Sequence, residues 1–373
     1  MHLTDEELID WLRLIRTENI GPRTFHALLD QFGTASAALE ALPELARRGG
    51  RLFAGIFSRS DAEKELIQAR KLGVRFFTMS EPDYPEPLRA IDTAPPLIAV
   101  AGDIRSLSRP MIAIVGSRNA SAAGLRMTEF LARGLGEAGF MVVSGLARGI
   151  DTKAHQAALP TGTVAVLAGG QARIYPSQNV PLAREIVEQG GAVVSEMPIN
   201  WEPRAQDFPR RNRIVSGLSR GVLVVEAARR SGSLITARLA LEQGRDVFAV
   251  PGSPLDPRSE GTNELIRQGA ILCSEAAHIA EVIEPSLEYA GDNTGSRTGT
   301  FEKIPDENRD MPVSPGNSEA AGVISLLGPV PVHVDELVRL SGAAYRTVQI
   351  ILLELEIGGR LERHGGNRVS LRA

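Results

Sequence analysis

The segment Asp207-Phe208-Pro209-Arg210-Arg211-Asn212-Arg213 sets one aromatic ring among three guanidiniums and an amide, beside a proline that fixes φ. A ring next to fixed cations is poor core material, and it suits a base lying on a platform with its phosphate held nearby. The same residues also suit a helix start, with Phe208 as a hydrophobic staple and the arginines solvated. Similar chemistry recurs elsewhere in the chain. Gly116-Ser117-Arg118-Asn119 precedes a helix predicted from about Ser121. Glycine there lets the backbone approach a ligand, and a helix N-terminus with Arg118 favours an anion, a simple tight turn being the other reading. Ser144-Gly145-Leu146-Ala147-Arg148-Gly149-Ile150-Asp151 repeats the combination, with Asp151 as a candidate N-cap. Asp151 and His155 lie four apart on one helical face and can pair, an orienting role rather than a metal site, since no further His, Cys or Glu stands beside them. Arg229-Arg230-Ser231-Gly232-Ser233 again leads into a helix, and a third turn, Ala168-Gly169-Gly170-Gln171-Ala172-Arg173-Ile174-Tyr175-Pro176, carries two glycines, one Arg and one Tyr. Glu196 and Glu226 could act as a general base, or more simply as a helix cap or an arginine partner. The first turn lacks the G-x-G-x-x-G spacing, no G-x-x-x-x-G-K-[ST] occurs, and the turns after the strands hold no G-x-S-x-G or Cys–His pairing.

These turns need a scaffold that aims them the same way. Short apolar runs at Met111–Val115, Phe140–Val143, Thr163–Leu167, Ala192–Val194, Val222–Val225, Val247–Val250 and Ala270–Cys273 are mostly separated by helical stretches. Continuous apolar runs alternating with helices predict an α/β fold, an extended Rossmann-like parallel sheet buried on both faces. In such sheets the ligand crevice lies beyond the carboxyl ends of the strands, where the Gly, Ser and Arg residues fall. That rim is longer than one nucleotide needs and fits an extended polyanion. Residues 1–75 read as helices around Asn19-Ile20-Gly21-Pro22, resembling a SAM-like or helix-hairpin-helix module, or else a small packing bundle. The central domain is expected over 76–286 and a Gly/Asp/Ser/Pro-rich linker over 287–317. Residues 318–373 show three short helices and two strand-like pieces around Gly365-Gly366, a winged-helix pattern.

Composition narrows the partners. The 373 residues are 43% hydrophobic and 23% charged, ordinary for a soluble globular protein of two or three domains. A net charge of −4 argues against coating duplex DNA with the whole surface and leaves any nucleic-acid binding to a focused pocket. The single Cys273 excludes an internal disulfide framework, and with an acidic N-terminus and no run of 18 apolar residues the expectation is a cytoplasmic protein without signal peptide or membrane span.

Taken in order, the turns resemble the DprA/Smf family of DNA-processing proteins of natural transformation. The resemblance rests on Val115-Gly116-Ser117-Arg118, on Ser144 to Asp151 with His155, and on Ile174-Tyr175-Pro176 with Asn179. Phe208-Pro209-Arg210-Arg211-Asn212-Arg213-Ile214, Gly232-Ser233 with Thr236-Ala237, and Val250-Pro251-Gly252 complete it, over roughly residues 84–275. Ala168-Gly169-Gly170-Gln171 departs from the Gly-Cys-Gly-like residues that members often carry. The resemblance implies a homodimer that binds and protects incoming single-stranded DNA and loads RecA recombinase onto it, displacing or tolerating single-strand binding protein. It implies no catalysis, cofactor or metal. Arg118 and the Arg211–Arg213 pair would hold phosphates, Phe208 would meet a base, and Gly232-Ser233 would offer donors. The candidate DNA-binding set is Gly116, Ser117, Arg118, Gly145, Arg148, Gly149, Arg204, Phe208, Pro209, Arg211, Asn212, Arg213, Ser231, Gly232 and Ser233. By the same analogy the dimer surface falls near Leu265, Ile266 and Leu272, which plain core packing would also explain. Two rivals remain. A lysine-decarboxylase-like phosphoribohydrolase would share the sheet, but its P-G-G-x-G-T-x-x-E turn is absent. A transcription factor would use the winged helix, whose recognition helix carries only Arg346 against two glutamates.

Overall fold

The structure of the protein is a computed structural model that describes residues 3–50, 55–283 and 317–372. Helices α1 (Asp5–Arg16), α2 (Pro22–Phe32) and α3 (Ala35–Arg48) come first. A reciprocal capping box between Thr4 and Glu7 starts α1, and Gly33 ends α2 at φ +79°, which a residue with a Cβ would resist. Helix α4 (Arg59–Lys71) leads to β1 (Val74–Thr78), α5 (Glu86–Arg89) and β2 (Leu97–Gly102). Strands and helices then alternate: β3 (Met111–Val115), α6 (Ala122–Glu137), β4 (Met141–Ser144), α7 (Ile150–Ala158), β5 (Thr163–Val166), α8 (Val180–Glu188) and β6 (Ala192–Ser195). The alternation continues through α9 (Asp207–Leu218), β7 (Gly221–Val224), α10 (Gly232–Glu242), β8 (Asp246–Ala249), α11 (Glu260–Arg267) and β9 (Ile271–Leu272). The last elements are α12 (Asn317–Ser325), β10 (Val332–His333), α13 (Val334–Ser341), α14 (Tyr345–Ile357), β11 (Leu361–His364) and β12 (Arg368–Leu371).

Nine strands form one sheet in the order β1-β2-β6-β5-β4-β3-β7-β8-β9. The seven predicted runs are its parallel part, from β6 to β9, whereas β1 and β2 add an antiparallel edge within a region that reads as connection in the sequence. Along β3, Met111, Ala113 and Val115 join one apolar core and Ile112 and Ile114 the other. Alternate residues thus serve opposite faces, and because both faces are covered the strand reads as one unbroken apolar run. Strands β4 to β6 extend to one side of β3 and β7 to β9 to the other, so the topological switch point lies between β3 and β7.

The chain divides into two compact units, one within Glu65–Gly299 and one combining Leu3–Lys64 with Thr300–Ala373. In the second unit α12, α13 and α14 pack with a three-stranded sheet, β10-β12-β11, around Val334, Leu337, Ile351, Leu352 and Val369, a winged helix. Arg48 at the end of α3 reaches Glu354 of α14 at 3.7 Å, and burial pushes that carboxyl up from its usual pKa. The predicted linker 287–317 lies outside the described residues except for Asn317, which opens α12.

Candidate nucleic-acid interface

At the switch point a cavity of about 680 Å³ is lined by the turns after β3, β4 and β7 and by the start of α9. Gly116 is required there, because a Cβ would meet Ile150 Cγ1 at 2.7 Å and the Glu226 carbonyl at 3.0 Å. Arg118, exposed, lays its guanidinium over the Phe208 ring at 4.9 Å from the centroid. Tyr175 meets the same ring at 5.8 Å, tilted by 69°, and remains 53% exposed. The two readings of the Phe208 segment are compatible. Phe208 is the second residue of α9, and Pro209, the third, lies where a missing N–H costs no helical bond. Asp207 fastens this entry by accepting from Trp201 Nε1 and from the Arg204 backbone, both at 2.8 Å.

Beneath the rim lies a buried polar floor. The guanidinium of Arg211 is buried and donates to the carbonyls of Gly145 and Val166. Burial pulls its pKa down to about 10, so it is still charged at neutral pH. Asp151 Oδ2 accepts from the backbone of Gly145 at 3.1 Å and of Ala147 at 3.3 Å. Burial raises the Asp151 carboxyl pKa, and the nearby Arg211 charge pulls against that rise. Asn179 Nδ2 donates to the Leu146 carbonyl and to Thr152 Oγ1, both at 2.8 Å. The β4 turn is therefore pinned from three sides, with Leu146 held at φ +56°. Gly149, at φ +77°, packs against the Ser117 and Arg118 carbonyls, where a Cβ has no room.

Several expectations need correction. Arg213 is not a free phosphate ligand: it is buried, donates to the Thr93 carbonyl at 2.5 Å and pairs with Glu196, which Arg210 also approaches at 3.1 Å. Arg211 lines the cavity only from below, as a fixed charge with backbone partners. The helical stripe Asp207, Arg211, Ile214, Leu218 explains this, because it points inward at a spacing of three and four residues. Asp151 does not cap α7. Gly149 holds that position and Asp151 binds the preceding turn instead. Nor does Asp151 pair with His155, whose Nδ1 lies 2.7 Å from Thr163 Oγ1. Thr163 donates its hydroxyl to the Val142 carbonyl at 2.8 Å, so it accepts from His155, and the buried Nε2 is left without a partner. Burial, reinforced by Arg211, lowers the His155 pKa to about 3. Finally, the N-terminus of α6 is not an open anion site. The Glu226 carboxylate accepts from the Ser121 backbone at 2.9 Å and its hydroxyl at 2.5 Å. Ser121 is the N-cap of α6, Glu226 holds that cap residue with its carboxylate at the helix's positive end, and Glu196 is an arginine partner.

The remaining candidates stay on the rim. Arg148 is exposed and shares a shallow cleft with Arg118, Tyr175, Pro176 and Phe208. Arg204 is exposed, with its guanidinium 4.5 Å from the Trp201 ring centroid. Ser231 caps α10 by accepting from the Ser233 backbone at 3.3 Å, and Asn212 Nδ2 reaches the Gly232 carbonyl at 3.3 Å. Two rim residues outside the predicted set join it: Tyr175, and the exposed Arg230, which lines the cavity. An aromatic residue in a Gly-rich turn and a second Arg before Ser231 were the available signals. Of the expected dimer residues, Leu265 packs on the core, Ile266 is partly buried and Leu272, on the edge strand β9, is 47% exposed. Among the described residues no cluster of three His, Cys, Asp or Glu could hold a metal, and no helix is long and apolar enough to cross a membrane.

A doubly wound sheet with a switch-point crevice, accompanied by an N-terminal helical module and a C-terminal winged helix, defines a Rossmann-like α/β protein of three modules. The chain belongs to the DprA/Smf family. The family model for DNA recombination-mediator protein A matches residues 75–284, the DprA-like N-terminal HHH domain 5–69 and the DprA winged helix domain 307–367. The chain is 37% identical to protein Smf of Escherichia coli over 380 residues, which cover 99% of this chain and 97% of that protein. It is 42% identical to DNA processing protein DprA of Bacillus subtilis over 228 residues, 60% of this chain and 76% of the relative. The crystal structure of DprA from Streptococcus pneumoniae matches with a TM-score of 0.61 at 35% identity, over 75% of this chain and 98% of that one. A structure of DNA processing protein A from Helicobacter pylori, described for its single-stranded DNA binding mode, matches with a TM-score of 0.51 at 31% identity, over 58% and 97%.

Proposed function

We propose that the protein binds single-stranded DNA in the switch-point crevice, protects it, and promotes its loading with RecA during natural transformation and recombination. The carrying observation is the rim. Arg118 lies over Phe208 beside an exposed Tyr175, while Arg148, Arg204 and Arg230 stand exposed with no carboxylate partner among the described residues. Aromatic faces with adjacent guanidiniums take a base and its phosphate, and an extended strand uses several such points. The relative from Helicobacter pylori supports the same ligand. The protein acts as a binder, not an enzyme: Glu196 and Glu226, carboxylates that follow β6 and β7, are engaged in an ion pair and in holding the N-cap Ser121 of α6. A homodimer joined near Leu265, Ile266 and Leu272, with RecA and single-strand binding protein as further partners, belongs to this reading. The test is a fluorescence anisotropy titration of single- and double-stranded oligonucleotides over a salt series, with Phe208→Ala beside the wild type. Preference for single strands and a weaker variant are expected. Duplex preference, or an unaffected variant, rejects the assignment.

A further inference from the structure

Four residues, Arg118, Gly145, Ala147 and Phe208, line both the 680 Å³ cavity and the neighbouring cleft whose other walls are Arg148, Tyr175 and Pro176. The stacked Arg118–Phe208 pair therefore stands between two spaces rather than at the back of one. The spaces differ in capacity. The cavity can enclose a base, whereas the cleft, at about 10 Å³, has room for about one water. A base on the far side must then lie outside the cleft, and the group available to receive it is the Tyr175 ring, 53% exposed and held against Phe208. Arg148, exposed at the same cleft, supplies the cation for the linking phosphate.

We propose that the Arg118–Phe208 pair is a wall between two successive nucleotides, one base entering the cavity and the next stacking on Tyr175 with its phosphate at Arg148. The inference rests on the single-strand reading above and adds to it a second step and a reason for strand selectivity. Parting adjacent bases around a wall requires them to unstack. A flexible single strand does so readily, while a duplex must also unpair. Selection against duplex then comes from the shape of the wall, not from charge, which both kinds of DNA satisfy.

The test measures affinity of the full chain for oligothymidylates of increasing length, by anisotropy, for wild type, Tyr175→Ala, Tyr175→Phe and Phe208→Ala. The Tyr175→Ala variant is expected to bind the shortest oligomers as wild type does. It should lose roughly 5- to 150-fold on those long enough to cross the wall, the equivalent of one stacked base. Tyr175→Phe should restore the loss. Phe208→Ala should weaken binding at every length and narrow the gap between single strand and duplex. Equal affinity of Tyr175→Ala and wild type at every length overturns the second step and leaves the single-strand reading standing. Failure of the wild type to bind single strands at any length overturns both.

Discussion

The crevice holds two layers of arginine that differ in almost every respect except composition. In the floor, Arg211 and Arg213 are buried and occupied with carbonyls and, for Arg213, with Glu196. On the rim, Arg118, Arg148, Arg204 and Arg230 are exposed, with the guanidinium of Arg118 over Phe208 and that of Arg204 over Trp201. A buried cation needs internal partners, because desolvation without them costs several kcal/mol. An exposed cation without a carboxylate retains its full attraction for a polyanion. On the proposed reading the floor serves stability and the rim serves binding, although the short span from Arg204 to Arg213 supplies arginines to both layers.

This division can be broken from either side. The largest effect concerns the floor and pH. The unfolded chain protonates His155 below about pH 6.5, whereas the buried imidazole refuses a proton until about pH 3. Its contribution to stability is present above 6.5 and falls away as pH drops through that window, by up to roughly 5 kcal/mol at the limit. Asp151, with its pKa raised, works in the opposite sense and favours the fold at low pH, so the His155 contribution is read as a difference. Denaturant titrations between pH 7 and pH 4 should show a flatter acid arm for His155→Gln than for wild type; parallel curves would remove the assignment. Next, Arg213→Ala should lower the unfolding free energy by about 3 kcal/mol, since Glu196 stays buried and loses its buried cation, while oligonucleotide salt slopes stay unchanged. A reduced slope with intact stability would place Arg213 on the rim after all.

On the rim, Phe208→Ala should cost about 1–3 kcal/mol of single-strand affinity with little change in thermal stability. Arg118→Gln should flatten the salt dependence by about 0.7 in log–log slope, one phosphate's worth for a single strand. Stability loss in either variant, rather than a binding loss, would merge the two layers. The smallest effect is expected in the winged helix, where Arg363 already pairs with Glu356 at 2.9 Å and Arg339 with Glu336 at 3.7 Å. Arg346→Ala should leave oligonucleotide affinity within about twofold; a tenfold loss of duplex binding would instead make α14 a DNA reader.

What could be read in advance follows the physics of each element. Strands β3 to β9 were legible because burial on both faces turns a strand into a continuous apolar run. Strands β1 and β2 were not, since Pro85, Pro87, Pro95 and Pro96 made their surroundings read as connection. The Gly, Ser and Arg turns were legible because each directly follows a strand. The fate of individual charges was not. Glu196 and Arg213 lie 17 residues apart, and Glu226 and Ser121 lie 105 apart, separations at which only the fold decides who meets whom. Arg211 was the intermediate case, visible in retrospect from the inward stripe that runs from Asp207 to Leu218.

Glu226 has a further consequence as a resident competitor. Its carboxylate occupies the positive end of α6, tethered to the same chain at an effective concentration that a diffusing ligand would have to exceed. A small mononucleotide seeking the phosphate seat that first-turn helices commonly provide meets an occupied place and has few other contacts to compensate. A polymer loses one anchoring point and keeps the others. On the single-strand reading, the crevice is expected to ignore free nucleotides and to respond to chain length.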